Sequence, residues 1–376
     1  MEIIYLDHAA TGVPLPCAER AFIEASRDYG NPSSLHIAGA KAKETLEKSR
    51  SDIAKTLSCK PEEIIFTSGG SESNNQAIIG AARLKGRRSK RVIISDSEHP
   101  SVENAANSLI REGFEVIKIP TVNGELDLEL LEGALKTPAA LVCVMLVNNE
   151  TGAVYDIAAV RKAIDASGSD AIFHCDAVQG YLKTEKYKLL KKYCDTASFS
   201  AHKIGGYKGV GALYIKSGLR LPPLICGGGQ ESGLRSGTEN VQGVAAFAAA
   251  AKACSPEEAE KLKDLRNITV KTLVSEDFGA VIRNAPEQSA AILSISVPGV
   301  RSEVMLNALS AEGICVSAGS ACSASRKGTS RVIEAFGATK EELESAIRIS
   351  FGVSNTEDEC VHAAKRIAYY AKRLRR

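Results

Sequence analysis

A chain of 376 residues is long enough for two domains, or for one large domain with an appendage. Its 47 basic and 45 acidic side chains leave a formal charge of +2, which gives no warrant for a nucleic-acid or membrane role. Ten cysteines without a Cys-x-x-Cys pair, six histidines without ligand spacing and no Trp argue against a zinc site, a small disulfide framework and base-stacking on single strands.

Reduced thiols in a cytoplasmic protein fit this cysteine usage better. No apolar run reaches the roughly 18 residues of a membrane span. The start of the chain carries Glu2 and Asp7 and lacks the basic lead of a secretory signal. The basic run from Lys365 to Arg376 reads as a solvated helix end.

In chain order, Ile3–Leu6 and Asp7–Gly12 read as an arm and a turn, and Gly30–His36 as a polar loop. A helix is predicted from Ala38 to Leu57, ending before Pro61. Seven apolar runs then read as strands: Ile64–Thr67, Val92–Ser95, Val116–Ile119, Leu141–Val147, Ala171–His174, Thr196–Ser200 and Gly211–Ile215. Helical patterns lie between them at Ser73–Leu84, Ser101–Arg111, Leu128–Leu135 and Ile157–Ala166. Apolar strands alternating with helices predict a mostly parallel sheet covered on both faces, with ligands beyond the carboxyl ends of the strands. A Gly-rich loop spans Gly227–Gly237, and Val241–Ala253 reads as a linking helix. The remainder is an α+β module. Its strands are Ala290–Val297 and Ile314–Ser317, and its helices Ser302–Ala311, Lys340–Ile347 and Thr356–Arg373.

The chemistry-bearing groups cluster at these strand ends. Lys203 follows Ser198-Phe199-Ser200-Ala201-His202, and Asp176 ends the run from Ala171. A lysine that forms a Schiff base and an acid that pairs with a pyridinium nitrogen are what a pyridoxal phosphate enzyme needs. Taken alone, each is an ordinary solvated charge. Thr67-Ser68-Gly69-Gly70-Ser71 joins a strand to a helix, where backbone amides can hold phosphate; the plainer reading is a Ser cap. His99 could stack on a flat cofactor and move protons, or be an inert loop residue. Asn148 and Asn149 are turn formers or ligand contacts. Cys322 lies among small residues that would expose a nucleophile, although a lone thiol is more often a bystander. Arg348, in an alternating Ala346–Phe351 segment, could grip a carboxylate or form a surface salt bridge.

Taken together and in order, these pieces resemble the cysteine desulfurases, the NifS/IscS-like branch of the class V aminotransferases. The matching stretches are Gly30-Asn31-Pro32-Ser33-Ser34, Thr67-Ser68-Gly69 with Glu72-Ser73-Asn74-Asn75, Glu98-His99, Asn148–Gly152, Asp176 with Gln179, His202-Lys203, Arg235–Thr238 and Gly319–Cys322. The resemblance implies a fold-type I pyridoxal phosphate transferase in the α/β class. It would have a large domain over residues 15–250 with a mostly parallel seven-stranded sheet. Residues 1–14 and 251–376 would form an arm and a small α+β domain. A homodimer with its sites at the subunit interface is also implied.

By the same resemblance, Lys203 forms the Schiff base, Asp176 meets the ring nitrogen, Gln179 meets the ring hydroxyl, and His99 stacks on the ring. Gly70, Ser71, Ser200 and His202 hold the phosphate, joined by Thr238 of the other subunit. Asn31, Asn149 and Arg348 bind the substrate amino acid. Cys322 takes sulfur from L-cysteine as a persulfide, leaving alanine, and passes it to an acceptor in iron–sulfur cluster assembly or in tRNA or cofactor thiolation. An aminotransferase or a selenocysteine lyase would keep the cofactor and change the reaction. A sulfur carrier on an inactive fold would need no cofactor. The sequence departs from the family pattern at His8, Ser71, Ala201, Ser232 and Ala318.

Overall fold

The computed structural model describes residues 3–319 and 330–375. Its centre is a seven-stranded sheet: β1 (Ile64–Thr67), β2 (Arg91–Ser95), β3 (Glu115–Ile119), β4 (Leu141–Cys143), β5 (Ile172–Asp176), β6 (Thr196–Ser200) and β7 (Gly211–Ile215). The strands lie in the order β1-β7-β6-β5-β4-β2-β3. β7 runs antiparallel to both its neighbours, and the remaining pairs are parallel. All seven predicted strands are present.

Buried residues alternate between two apolar clusters along β1, β2, β4 and β7. Phe173, Phe199 and Tyr214 feed one; Ile172, Leu213 and Ile94 feed the other. A period of two with both faces apolar is what a doubly covered sheet requires. Burying each such side chain contributes about 1.5–3 kcal/mol.

The helices that concern the site are α1 (Ile37–Thr56), α2 (Gly70–Lys85) and α3 (Pro100–Ser108). Farther along come α4 (Val241–Ala253), α5 (Pro256–Ser275) and α6 (Glu357–Leu374). α2 lies against β5, β6 and β7. A smaller antiparallel sheet has the order β8 (Val281–Arg283), β9 (Ile292–Ser296), β10 (Ala346–Ser350). The N-terminal arm joins this second unit: Ile4–Tyr5 pairs in parallel with Ile314–Cys315, and Ser350 N donates to Leu6 O.

The helix Pro16–Ala25 and β8 are not among the predicted elements, and several others differ in their bounds. β4 stops at Cys143, short of Val147, because Met145 N turns to the buried Glu98 carboxylate at 2.8 Å and leaves the ladder with β2. β5 runs on to Asp176, which pairs with Ser198, so the acid is itself the last strand residue. The helix at Lys340 ends at Glu344, and β10 begins at Ala346.

Candidate active site

The carboxyl ends of β1, β2, β4, β5 and β6 face the same edge of the sheet, and a cavity of about 220 Å³ opens there. Lys203, Asp176 and His99 all line it. Lys203 sits in a tight turn, Ala201–Lys203, immediately after β6. Its Nζ donates to the carbonyl oxygens of Ala9 and Ala10, each at 2.7 Å, so the N-terminal arm reaches the site.

Asp176 is buried. One oxygen accepts from Asn74 Nδ2 at 2.7 Å and the other from Val178 N at 3.0 Å. These two bonds fix the plane of the carboxylate. His99 caps α3, with Pro100 at the first helical position. Burial holds its imidazole below the usual histidine range; Asp176 opposes this and Lys203 adds to it. His202 Nδ1 lies 3.1 Å from Thr11 Oγ1. Burial, with the nearby charges of Lys203 and Lys183, pushes His202 down to about 4.

Gly70 and Ser71 at the start of α2, with Ser200 at the end of β6, form another wall. The cap residue Gly69 offers no side chain to the first turn of this 16-residue helix, so the expected Ser cap is absent. First-turn N–H groups and the helix dipole therefore suit an anion. A Cβ at Gly70 would lie 2.5 Å from Val178 Cγ2, so glycine permits the close approach of helix and strand end.

Gln179 lines the cavity. Its Nε2 donates to Ala9 O at 2.8 Å, while Oε1 is buried and has no partner among the described residues. Arg348 is 2% exposed and not at the surface. Its guanidinium donates to Asn149 O at 2.8 Å and to Asp7 Oδ1 at 2.8 Å. The adjacent amides divide the two roles between them. Asn148 Oδ1 accepts from Glu150 N and Thr151 N and builds the turn, whereas Asn149 lines the cavity.

Two expected residues lie elsewhere. Asn31 is exposed and accepts from Ser33 N through its side chain. Thr238 is exposed and lines a separate pocket. Cys322 falls outside the described residues. On either side of that stretch, Ser317 pairs with Arg348, and Ser330 Oγ donates to Glu150 Oε2 at 2.5 Å.

Sequence reasoning assigns no role to Asn74, Ser101, Ala9 or Ala10, which also line the cavity. Asn74 carried a signal: it stands four residues after Gly70, one turn along the same helical face. The alanines act through their carbonyls, which no side-chain pattern reports.

Residues 4–362 match the family described as aminotransferase class-V. A cysteine desulfurase IscS of Serratia proteamaculans is 38% identical over 382 residues, covering 99% of this chain and 93% of that protein. A NifS-type homolog of Lactobacillus delbrueckii is 37% identical, covering 95% and 94%. Among solved structures, a NifS-like protein superposes with a TM-score of 0.89 at 35% identity, covering 99% and 100%. A NifS-like protein of Rickettsia africae gives 0.85 at 32% identity, covering 98% and 99%. A strand-end lysine, a buried acid and a helix N-terminus around one cavity, on a chain alike from end to end to these proteins, place it in the class-V aminotransferase family, among its cysteine desulfurases.

Proposed function

We propose that this cavity binds pyridoxal phosphate and L-cysteine, and that the chain releases alanine while moving sulfur to Cys322. The observation that carries the reading is the meeting of Lys203, Asp176 and His99 at one cavity, beside an uncapped helix N-terminus. The donor set fits the cofactor: an amine, an acid, an imidazole, hydroxyls beside a helix N-terminus, and a buried Gln179 Oε1, without a partner among the described residues, able to accept from a hydroxyl.

Lys203 would hold the aldehyde carbon, Asp176 the ring nitrogen and Gln179 the ring hydroxyl. His99 would cover the ring. Gly70, Ser71, Ser200 and His202 would hold the phosphate. When bound, the cofactor supplies an electron sink for charge developing at the amino acid's Cα. Arg348 and Asn149 orient the substrate, the guanidinium toward its carboxylate. Lys203 and His99 carry protons to and from carbon. Cys322, as thiolate, attacks the substrate sulfur. The C–S bond breaks, its electron pair stays with carbon and is protonated to alanine, and Cys322 keeps the sulfur as a persulfide. An acceptor thiol then removes it, in iron–sulfur assembly or in thiolation of tRNA or a cofactor.

Thr238 is exposed and outside its own cavity, which supports its assignment to the site of a second copy in a homodimer. A solved relative at 29% identity, SspA, is described in complex with cysteine, which favours an amino acid thiol as substrate here. Among the described residues, no helix is long and apolar enough to cross a membrane. The test is incubation of purified protein with L-cysteine. Alanine and protein-bound persulfide should form together. Cys322→Ala should end sulfur transfer and leave the visible absorbance of the cofactor unchanged. Undiminished turnover in that variant would favour an aminotransferase or a selenocysteine lyase.

A further inference from the structure

A chain of buried and half-buried hydrogen bonds runs from the cavity wall into the sheet, and most of its members have no part in the function just proposed. Asn74 Nδ2 lies 2.7 Å from Asp176 Oδ2 and 2.8 Å from Ser101 Oγ. Asn74 Oδ1 lies 3.0 Å from His174 Nε2. His174 Nδ1 lies 2.9 Å from Thr196 Oγ1. Ser101 Oγ lies 2.8 Å from His99 Nδ1, which also accepts from Ser101 N at 3.1 Å. Asn74, His174 and Thr196 are at most 1% exposed, so water does not compete for these groups.

With His174 neutral, proton counting along the chain has one solution. A carboxylate accepts and cannot donate. The Asn74 atom facing Asp176 is therefore the NH₂ group, and the carbonyl oxygen faces His174. A carbonyl also accepts, so His174 carries its hydrogen on Nε2. Its Nδ1 is then a lone pair, filled by the Thr196 hydroxyl. On the other side, the Ser101 backbone N–H donates to His99 Nδ1, so that nitrogen is an acceptor, and Ser101 Oγ, which accepts from the second Asn74 N–H, turns its own hydrogen toward it. That nitrogen accepts twice and holds no hydrogen. Burial pushes His174 down to about 3, in keeping with a neutral ring at this position.

We propose that Asn74, held by neutral His174, is a positioning residue for both Asp176 and His99. It locks the carboxylate in place and, through Ser101, leaves Nε2 as the one nitrogen by which His99 exchanges protons. The proposal rests on the assignment of Asp176 and His99 to the cofactor. A packing role for Asn74 would be satisfied by any residue of its size. Here both amide hydrogens and the carbonyl are each spent on a named partner, and loss of any one leaves a buried group unpaired.

The test begins with histidine-¹⁵N-labelled protein, with and without pyridoxal phosphate. Two-bond nitrogen–proton correlations should show His174 and His99 as Nε2–H tautomers at pH 7, with His174 unchanged down to pH 5. A hydrogen on Nδ1 of either ring, or a charged His174 at pH 7, would overturn the proposal. Asn74→Leu should mix the His99 tautomers and weaken cofactor retention by about tenfold or more. Unchanged tautomers and retention would also overturn it. Should that variant not fold, His174 provides the second arm. His174→Gln keeps a donor to Asn74 and should hold retention within about threefold of the parent, while His174→Phe should lose about tenfold. Equal effects of the two would count against positioning. The tautomers are read without turnover, so failure to form alanine would reject the enzymatic assignment separately.

Discussion

Arg348 donates to Asp7 at 2.8 Å, joining positions 341 residues apart. The same guanidinium donates to Asn149 O, and its Nε is buried and has no partner among the described residues. It is therefore held in one orientation at the cavity wall. Arg348→Lys replaces a planar fork by a point charge. KM for L-cysteine should rise about tenfold or more, with the cofactor's absorbance unchanged. Steady-state kinetics beside a visible spectrum check this, and an unaltered KM would remove Arg348 from substrate binding.

Gly70→Ala places a methyl group 2.5 Å from Val178 Cγ2, at the wall assigned to phosphate. Overpacking of this kind costs roughly 1–3 kcal/mol. The variant should unfold at lower urea concentration and release pyridoxal phosphate sooner on dialysis. Adding Val178→Ala should recover most of both losses. If the double variant stays as weak as the single one, the contact is not the cause.

Burial, with the charge of Asp176 adding to it, raises Glu98 to about 8 from the ordinary 4.5. Its Oε1 accepts from Ser95 Oγ at 2.7 Å and from Met145 N at 2.8 Å, and Oε2 has no partner among the described residues. Between those two values the folded chain holds a proton that the unfolded chain has lost. This group's share of stability therefore falls as pH rises, by up to about 1.4 kcal/mol per pH unit. Glu98→Gln cannot titrate and should lose less stability than the parent between pH 6 and 8. Denaturant midpoints at both pH values decide it, and parallel slopes would contradict the buried proton.

His8 has the opposite sign. Burial and then Lys183 push it down to about 4 from the ordinary 6.5. In that window the unfolded chain binds the proton first, so stability is lost as pH falls from 6.5 toward 4. His8→Asn should flatten this acid limb in thermal melts of the apoprotein. An identical limb in both proteins would mean that His8 does not titrate this way.

Much of this architecture could be read in the sequence because its causes are local. Apolar runs such as Leu141–Cys143 are buried along their whole length, and a run that must be buried on both faces shows it in composition. Lys203 and Asp176 stood out because each polar group directly ends such a run. Contacts set by chain return were less visible. Nothing near Asp7 announces Arg348, and nothing near His174 announces Asn74, 100 residues earlier. Backbone groups carry no side-chain signature at all, so the carbonyls beside Lys203 came only with the fold.

The arm that supplies those carbonyls also receives Gln179 and is stitched to β10 through Leu6. Residues 3–12 thus form a strap across the cavity. A protease nick between Ala10 and Thr11 would sever the strap from the body of the protein while sparing every side chain assigned to the cofactor. Affinity handles for purification are better fused to the opposite terminus, and an idle preparation should be checked by intact mass before its chemistry is blamed.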